Sequence, residues 1–280
     1  MLKKLLKYDL RATFKYWWVA ALSSIGLSVI GGLSLSLVQS NLAKEHIMIF
    51  LLGTLGIILT VVGISAFLVS AELFIYLRFY QNFFSDEGYL TFTLPVKRHQ
   101  LFNSKIITAF IISASTIAVL AIDAFTVFFV HLGAGVFDLA FWSNIASFLG
   151  MIFGQSLKTF GAYPIIYVLE ILLLIFIVAL ISMLLVFACI TFAAMITKKN
   201  KVLAAIGIYY VTNAVISVVV QMIITFAIIG AGSIAIIIPE KAIIGIGALL
   251  LLLFILLAAA IALALYTFVL WMLDRKLNLA

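Results

Sequence analysis

The sequence predicts an all-α, polytopic membrane protein: six transmembrane helices behind an amphipathic interfacial helix, with both termini in the cytoplasm. Three observations predict this. The 280 residues are 66% hydrophobic and 10% charged, with a mean hydropathy of +1.35, which leaves too little polar surface to cover a soluble core of this size. Apolar runs long enough to cross about 30 Å of hydrocarbon, which takes about 20 helical residues, occur six times. They are 17–38, 47–77, 105–131, 164–197, 202–230 and 242–273. An even number of spans puts both termini on one side. Assigning that side to the cytoplasm places 14 of the 17 Lys and Arg residues inside and leaves Lys44, Lys158 and Lys241 outside, as the positive-inside rule requires. The net charge of +7 is accounted for in the same way, without a nucleic-acid partner. The chain is read as a single membrane domain, 1–280.

The first element is expected at 1–16. Leu2, Leu6, Leu10 and Phe14 form one helical stripe, with Lys3, Lys7, Arg11 and Lys15 on the adjacent one. That pattern suits a helix lying in the membrane interface with its basic side towards anionic lipid. Trp17 and Trp18 then fall where an aromatic belt is expected. A basic start followed by an apolar run resembles a secretory signal, but this run exceeds an h-region and has a helical segment before it, so a retained first span is expected. Within that span Ala20, Ser24, Ser28, Gly32 and Ser36 recur every four residues. Such a stripe admits a close helix neighbour, in the same subunit or another. Spans two, four and six have about 30 residues or more, about 45 Å of helix, so they tilt or project beyond the hydrocarbon. The external segment 132–163 places Phe141, Ile145, Phe148, Leu149 and Ile152 on one face, and an interfacial or re-entrant helix is expected there.

Catalytic patterns are missing. There is no G-x-x-x-x-G-K-[ST] phosphate loop, no H-E-x-x-H and no G-x-S-x-G. His46, His99 and His131 fall in separate loops, and the lone Cys189 excludes a disulfide framework or a cysteine zinc site. No enzyme activity, cofactor or metal is expected on this chain. The polar residues inside the spans are therefore the candidates. Glu72 and Asp123 are intramembrane carboxyls, which default to functional hypotheses, and either could line a polar pathway or bond two helices. Glu170 lies close enough to the outer end of its span to reach the interface. In span five Asn213, Ser217, Gln221 and Thr225 recur every four residues, with Tyr210 on the same face. A stripe of this kind cannot face lipid without leaving polar groups unpartnered, so a translocation pathway or a subunit interface is expected.

The cytoplasmic loop 78–104 is the polar interruption most suited to recognition. Ser85 can cap a short helix whose first turn carries Asp86 and Glu87, as the helix dipole prefers. Gly88 and the Leu94-Pro95 step limit that helix to a turn or two, and Tyr89, Leu90, Phe92 and Leu94 give it an apolar surface. A short acidic and aromatic element suits a groove on a soluble partner.

The stretch Phe83-Phe84-Ser85-Asp86-Glu87-Gly88-Tyr89-Leu90-Thr91-Phe92-Thr93-Leu94-Pro95, followed by basic residues and Ser104-Lys105, resembles the loop between spans two and three of ABC-2-type (type V) exporter permeases of Gram-positive bacteria. The resemblance implies a plasma-membrane transporter subunit without its own ATPase. It pairs with a separate ABC ATPase carrying ATP and Mg, and with a second permease, either a copy of the chain or a paralogue. It implies a coupling helix at 85–95, with Ser85, Asp86, Glu87, Gly88, Tyr89, Phe92, Leu94, Pro95 and Arg98 as coupling residues. It also implies, more loosely, an amphipathic or antimicrobial/toxin peptide as substrate, as in exporters of phenol-soluble modulins. The short external stretch Gly230 to Lys241 departs from relatives with a long re-entrant region there. Two other readings stay open: an ion- or proton-coupled secondary transporter, and a non-transporting assembly or sensor subunit.

Overall fold

A computed structural model describes residues 2–85, 88, 96–133, 135, 138–197, 200–235 and 240–275, and these form helices and short connections. In chain order the helices are α1 (Leu2–Gln39), α2 (Asn41–Glu45), α3 (Ile47–Phe84), α4 (Arg98–Leu132), α5 (Leu139–Phe160), α6 (Tyr163–Ile196), α7 (Lys201–Ala235) and α8 (Glu240–Arg275). Six of them, α1, α3, α4, α6, α7 and α8, are long and apolar enough to cross a membrane. The class defined at this level is an all-helical protein with the six spans of a multi-pass membrane protein. By packing, the helices fall into two compact units, Met1–Ser147 and Phe148–Ala280.

The helix ends follow local chemistry. Gly133 (φ 54°) and Gly161 (φ 65°) end α4 and α5 in the left-handed region that costs glycine nothing. Pro164 then sits in the first turn of α6, where its missing N–H has no helical partner to lose. Ser40 caps α2, accepting from the Ala43 N–H at 3.3 Å.

The first helix corrects the sequence expectation. α1 runs unbroken from Leu2 to Gln39, so the expected division between an interfacial helix 1–16 and a span at 17 is not a break in the backbone. The basic side chains Lys3, Lys7, Arg11 and Lys15 are exposed as expected, whereas Asp9, Thr13 and Trp17 are buried. They continue one buried face through Ala21, Ser24 and Ser28, at the spacing of a helix seam. The second span also ends later than expected. α3 continues seven residues past 77, to Phe84, because Phe79 packs its ring against Phe83, Phe84 and Phe102 of α4, and all four rings are buried.

In the first unit α1 packs on both α3 and α4. Small residues bring the backbones together. A β-carbon on Gly32 would lie 2.8 Å from the Val127 carbonyl oxygen of α4, and one on Gly31 would lie 2.6 Å from Thr60 Cγ2 of α3. The α1 stripe is thus packing within the chain. In the second unit α6 packs on α7 and α8. The Tyr167 hydroxyl donates to the Ile244 carbonyl at 2.9 Å, and it crosses α8 where a β-carbon on Gly247 would stand in its way.

The segment 132–163 contains a single 22-residue helix, α5, with no buried residue among those described. A helix is what the sequence predicts there. Its apolar side chains Trp142, Phe148, Leu149 and Ile152 are all exposed.

Candidate functional site

Two polar constructions and one loop are the candidates. The first is a ladder of polar contacts between α1 and α4, which run parallel, since residues 9, 17 and 36 of α1 meet 105, 116 and 131 of α4. At one end the Lys105 ammonium forms a salt bridge with Asp9, and both side chains are about nine-tenths buried. Ser104 Oγ donates to the other Asp9 oxygen at 3.0 Å. Next along the seam, the Trp17 indole N–H donates to Thr116 Oγ1 at 2.9 Å. Beyond it Asp123 faces Ser24 and Ser28, and at the far end Ser36 Oγ donates to the His131 carbonyl at 3.4 Å.

This ladder revises several expectations. Trp17 belongs to the seam, not to an aromatic belt, because its N–H has a buried partner there; Trp18 remains 58% exposed. Lys105, counted by the charge rule among the cytoplasmic basic residues, is buried against Asp9. Asp9 and Thr13 were hidden by the basic stripe beside them. The signal that could have found them is their three- and four-residue spacing to Trp17, Ala21 and Ser24.

Asp123 is the extreme case. It is 1% exposed, and neither carboxylate oxygen has a hydrogen-bond partner among the described residues. The Ser24 and Ser28 hydroxyls approach it, while each also lies within bonding distance of a carbonyl of its own helix, Ala21 O (2.9 Å) and Ile25 O (2.7 Å). Of the other acidic residues, Glu72 is half-buried on α3, twelve residues before the helix end. Glu170 does not reach the surface. It is 8% exposed beside Tyr167, and its Oε2 has no partner among the described residues.

The second construction is the α7 stripe. Tyr210, Asn213, Ser217, Gln221 and Thr225 are all exposed. Ser217 and Thr225 bond to carbonyls of their own helix, at Ala214 and Gln221. Among the described residues of the second unit the stripe is therefore not covered by packing, and Asn213 and Gln221 are exposed.

The loop follows α3. Ser85 ends that helix with extended backbone (φ −107°, ψ −173°), and its hydroxyl donates back to the Gln81 carbonyl. That bond uses the hydroxyl hydrogen, whereas the cap suggested for a following helix would use an oxygen lone pair, and residues 86 and 87 of that helix lie outside the described residues. The Gly88 N–H donates to Ser85 O at 2.8 Å, and a β-carbon on Gly88 would lie 2.8 Å from the Phe83 carbonyl oxygen. This tight return after α3 requires glycine. Arg98 opens α4 and is exposed. The coupling candidates Asp86, Glu87, Tyr89, Phe92, Leu94 and Pro95 lie outside the described residues.

Among the described residues no group of three or more His, Cys, Asp and Glu side chains is placed to hold a metal ion. The chain matches no protein-family model, no curated protein and no solved structure.

Proposed function

We propose that this chain is the transmembrane subunit of an ATP-driven exporter, coupled to a separate ATPase through residues 85–95. The observation that carries the reading is the segment Ser85–Pro95, an acidic and aromatic element between two spans of a chain that has no phosphate loop of its own. What supports it physically is the anchorage on either side. Before the segment, α3 ends in the buried Phe79–Phe83–Phe84 cluster. After it, α4 begins at Arg98 and is tied to α1 one helical stretch later by Lys105. A push on 85–95 is delivered to three packed helices, because close-packed elements shift as bodies.

In this reading both termini and the 78–104 loop are cytoplasmic, and the protein resides in the plasma membrane of a Gram-positive bacterium. Two permeases, copies or paralogues, stand side by side. ATP and Mg bind to the partner ATPases, and closure of the two ATPases drags the coupling segments and shifts the permease pair from inward-open to outward-open. The outward-facing α7 stripe, Tyr210 to Thr225, lines the path or the seam between permeases, with Glu72 as a further polar group. The substrate is an amphipathic or antimicrobial/toxin peptide, suited to a cavity so rich in aliphatic and aromatic side chains.

Affinity capture of the tagged full chain from its own membranes tests the reading. An ATPase with a G-x-x-x-x-G-K-[ST] motif should co-purify with the wild type. Replacing Asp86 and Glu87 by Lys should reduce its recovery or its substrate-coupled hydrolysis by tenfold or more, about 1.4 kcal/mol of contact energy. Capture without an ATPase, or unchanged coupling in the double variant, overturns it.

A second reading, cation-coupled secondary transport, is favoured by buried Asp123. It predicts substrate movement in proteoliposomes driven by an ion gradient without ATP. Against it, each of the six long helices is continuous, whereas secondary transporters of known architecture bind substrate and ion at interrupted helices.

A further inference from the structure

The Asp123 cluster is short of hydrogen-bond donors. Neither carboxylate oxygen has a partner within hydrogen-bond geometry among the described residues, and the two hydroxyls that approach them, Ser24 and Ser28, lie within bonding distance of the Ala21 and Ile25 carbonyls of their own helix. Nothing along the packed helices neutralises the carboxylate. In α1 no titratable side chain lies between Tyr16 and Gln39, and in α3 none lies between Ile47 and Ala71. In α4, Asp123 is alone between Lys105 and His131. Lys105 is eighteen residues away, roughly 27 Å along the helix, and is engaged by Asp9. His131 is eight residues away, roughly 12 Å. A carboxylate buried to 1% exposure with no well-formed donor among the described residues is costly to keep charged, and a bound positive charge would offset that cost.

We propose that Ser24, Ser28 and Asp123 form a binding site for a monovalent cation, either Na+ or a proton. The donor set fits both. Carboxylate and hydroxyl oxygens suit hard cations, and a bound proton would let the carboxyl donate to a serine lone pair. One carboxylate balances one positive charge. A divalent ion would leave an excess charge in an apolar seam and would find too few ligands, since Ca2+ takes about six to eight oxygens. The site is shared by α1 and α4, so occupancy also holds that helix pair together. It is independent of the ATP-driven reading, and its test uses neither an ATPase nor transport.

The test is thermal unfolding of the purified full chain in detergent, with NaCl exchanged for choline chloride at constant ionic strength and with pH varied from about 5 to 8 in choline. A ligand that binds only the folded state raises the midpoint. A saturable rise with Na+ at fixed pH assigns the site to Na+; a rise on acidification without Na+ assigns it to the proton. In either case Asp123→Asn should abolish that dependence, because its neutral amide brings its own donor. Ser24→Ala with Ser28→Ala should shift the half-saturating Na+ about tenfold, or the pH midpoint by about one unit, each equal to about 1.4 kcal/mol. A wild-type midpoint indifferent to both ligands overturns the proposal, as does Asp123→Asn with the wild-type dependence. Should Asp123→Asn fail to fold, the serine double variant decides: an unshifted titration overturns the proposal.

Discussion

A lysine and an aspartate buried opposite each other are stable as a pair and poor alone. Lys105 and Asp9 are each about nine-tenths buried, and Ser104 fills the second carboxylate oxygen. Removing one partner leaves the other charged and desolvated, so Lys105→Met or Asp9→Asn should destabilise the first unit by about 3–5 kcal/mol. The combined Asp9→Leu, Lys105→Met chain removes both charges and should recover most of that loss. A double-mutant cycle by detergent unfolding checks it, and single variants as stable as the wild type would show the pair to be hydrated. Neither partner was legible from the chain. Asp9 sits in a basic stripe and Lys105 at the edge of an apolar run, and the pair spans 96 residues of sequence. Local periodicity shows which face a residue occupies, not which distant side chain meets it. Asp123 was legible as a costly group by its position alone, but its serine partners emerge only when the register of α1 on α4 is known.

At the scale of the element, small residues determine how closely α1 approaches its neighbours, and two glycines on that helix make opposite predictions. Gly26 has open space where a β-carbon would stand, whereas at Gly32 the β-carbon would meet Val130 Cβ at 2.6 Å and a backbone carbonyl of α4 at 2.8 Å. Gly26→Ala should therefore stabilise by about 0.5–1 kcal/mol through helix propensity. Gly32→Ala should destabilise by about 1–3 kcal/mol, because a backbone oxygen cannot rotate away and the helices must separate. Thermal midpoints of the two variants check the signs, and a neutral Gly32→Ala would mean that the α1–α4 contact is looser than this. The elements themselves were well marked by hydropathy: α6 spans 163–196, where 164–197 was expected. The ends that missed had a tertiary cause. α3 runs on to Phe84 because the phenylalanines at its end are buried around Phe79, which meets Phe102, and α1 is continuous because Asp9 and Thr13 belong to the same buried face as Ser24. The α7 stripe was readable as unsuited to lipid. Its exposure in the folded chain could not be read, since that depends on what the neighbouring helices leave uncovered.

At the scale of the whole molecule, the order of six spans follows from hydropathy, and the proposed orientation rests on charge. In the proposed orientation Lys7, Lys97 and Lys201 face the cytoplasm while Lys44 and Lys158 face outwards, and the reverse orientation would put 14 of 17 basic residues on the outer side. Each Lys or Arg near a short loop biases insertion in the same direction, so the imbalance supports the proposed orientation. The coupling proposal depends on this orientation, because a loop at 85–95 facing outwards could meet no ATPase. Single-cysteine chains give the answer. Cys189 is 5% exposed, and replacing it by Ala removes what background it has. In intact cells a membrane-impermeant maleimide should label Lys44→Cys and Lys158→Cys directly, and Lys7→Cys, Lys97→Cys and Lys201→Cys only after permeabilisation. The inverted pattern would remove the loop from the cytoplasm and the exporter reading with it, while leaving the Ser24–Ser28–Asp123 site, buried between two helices, as a question for the cation titration alone.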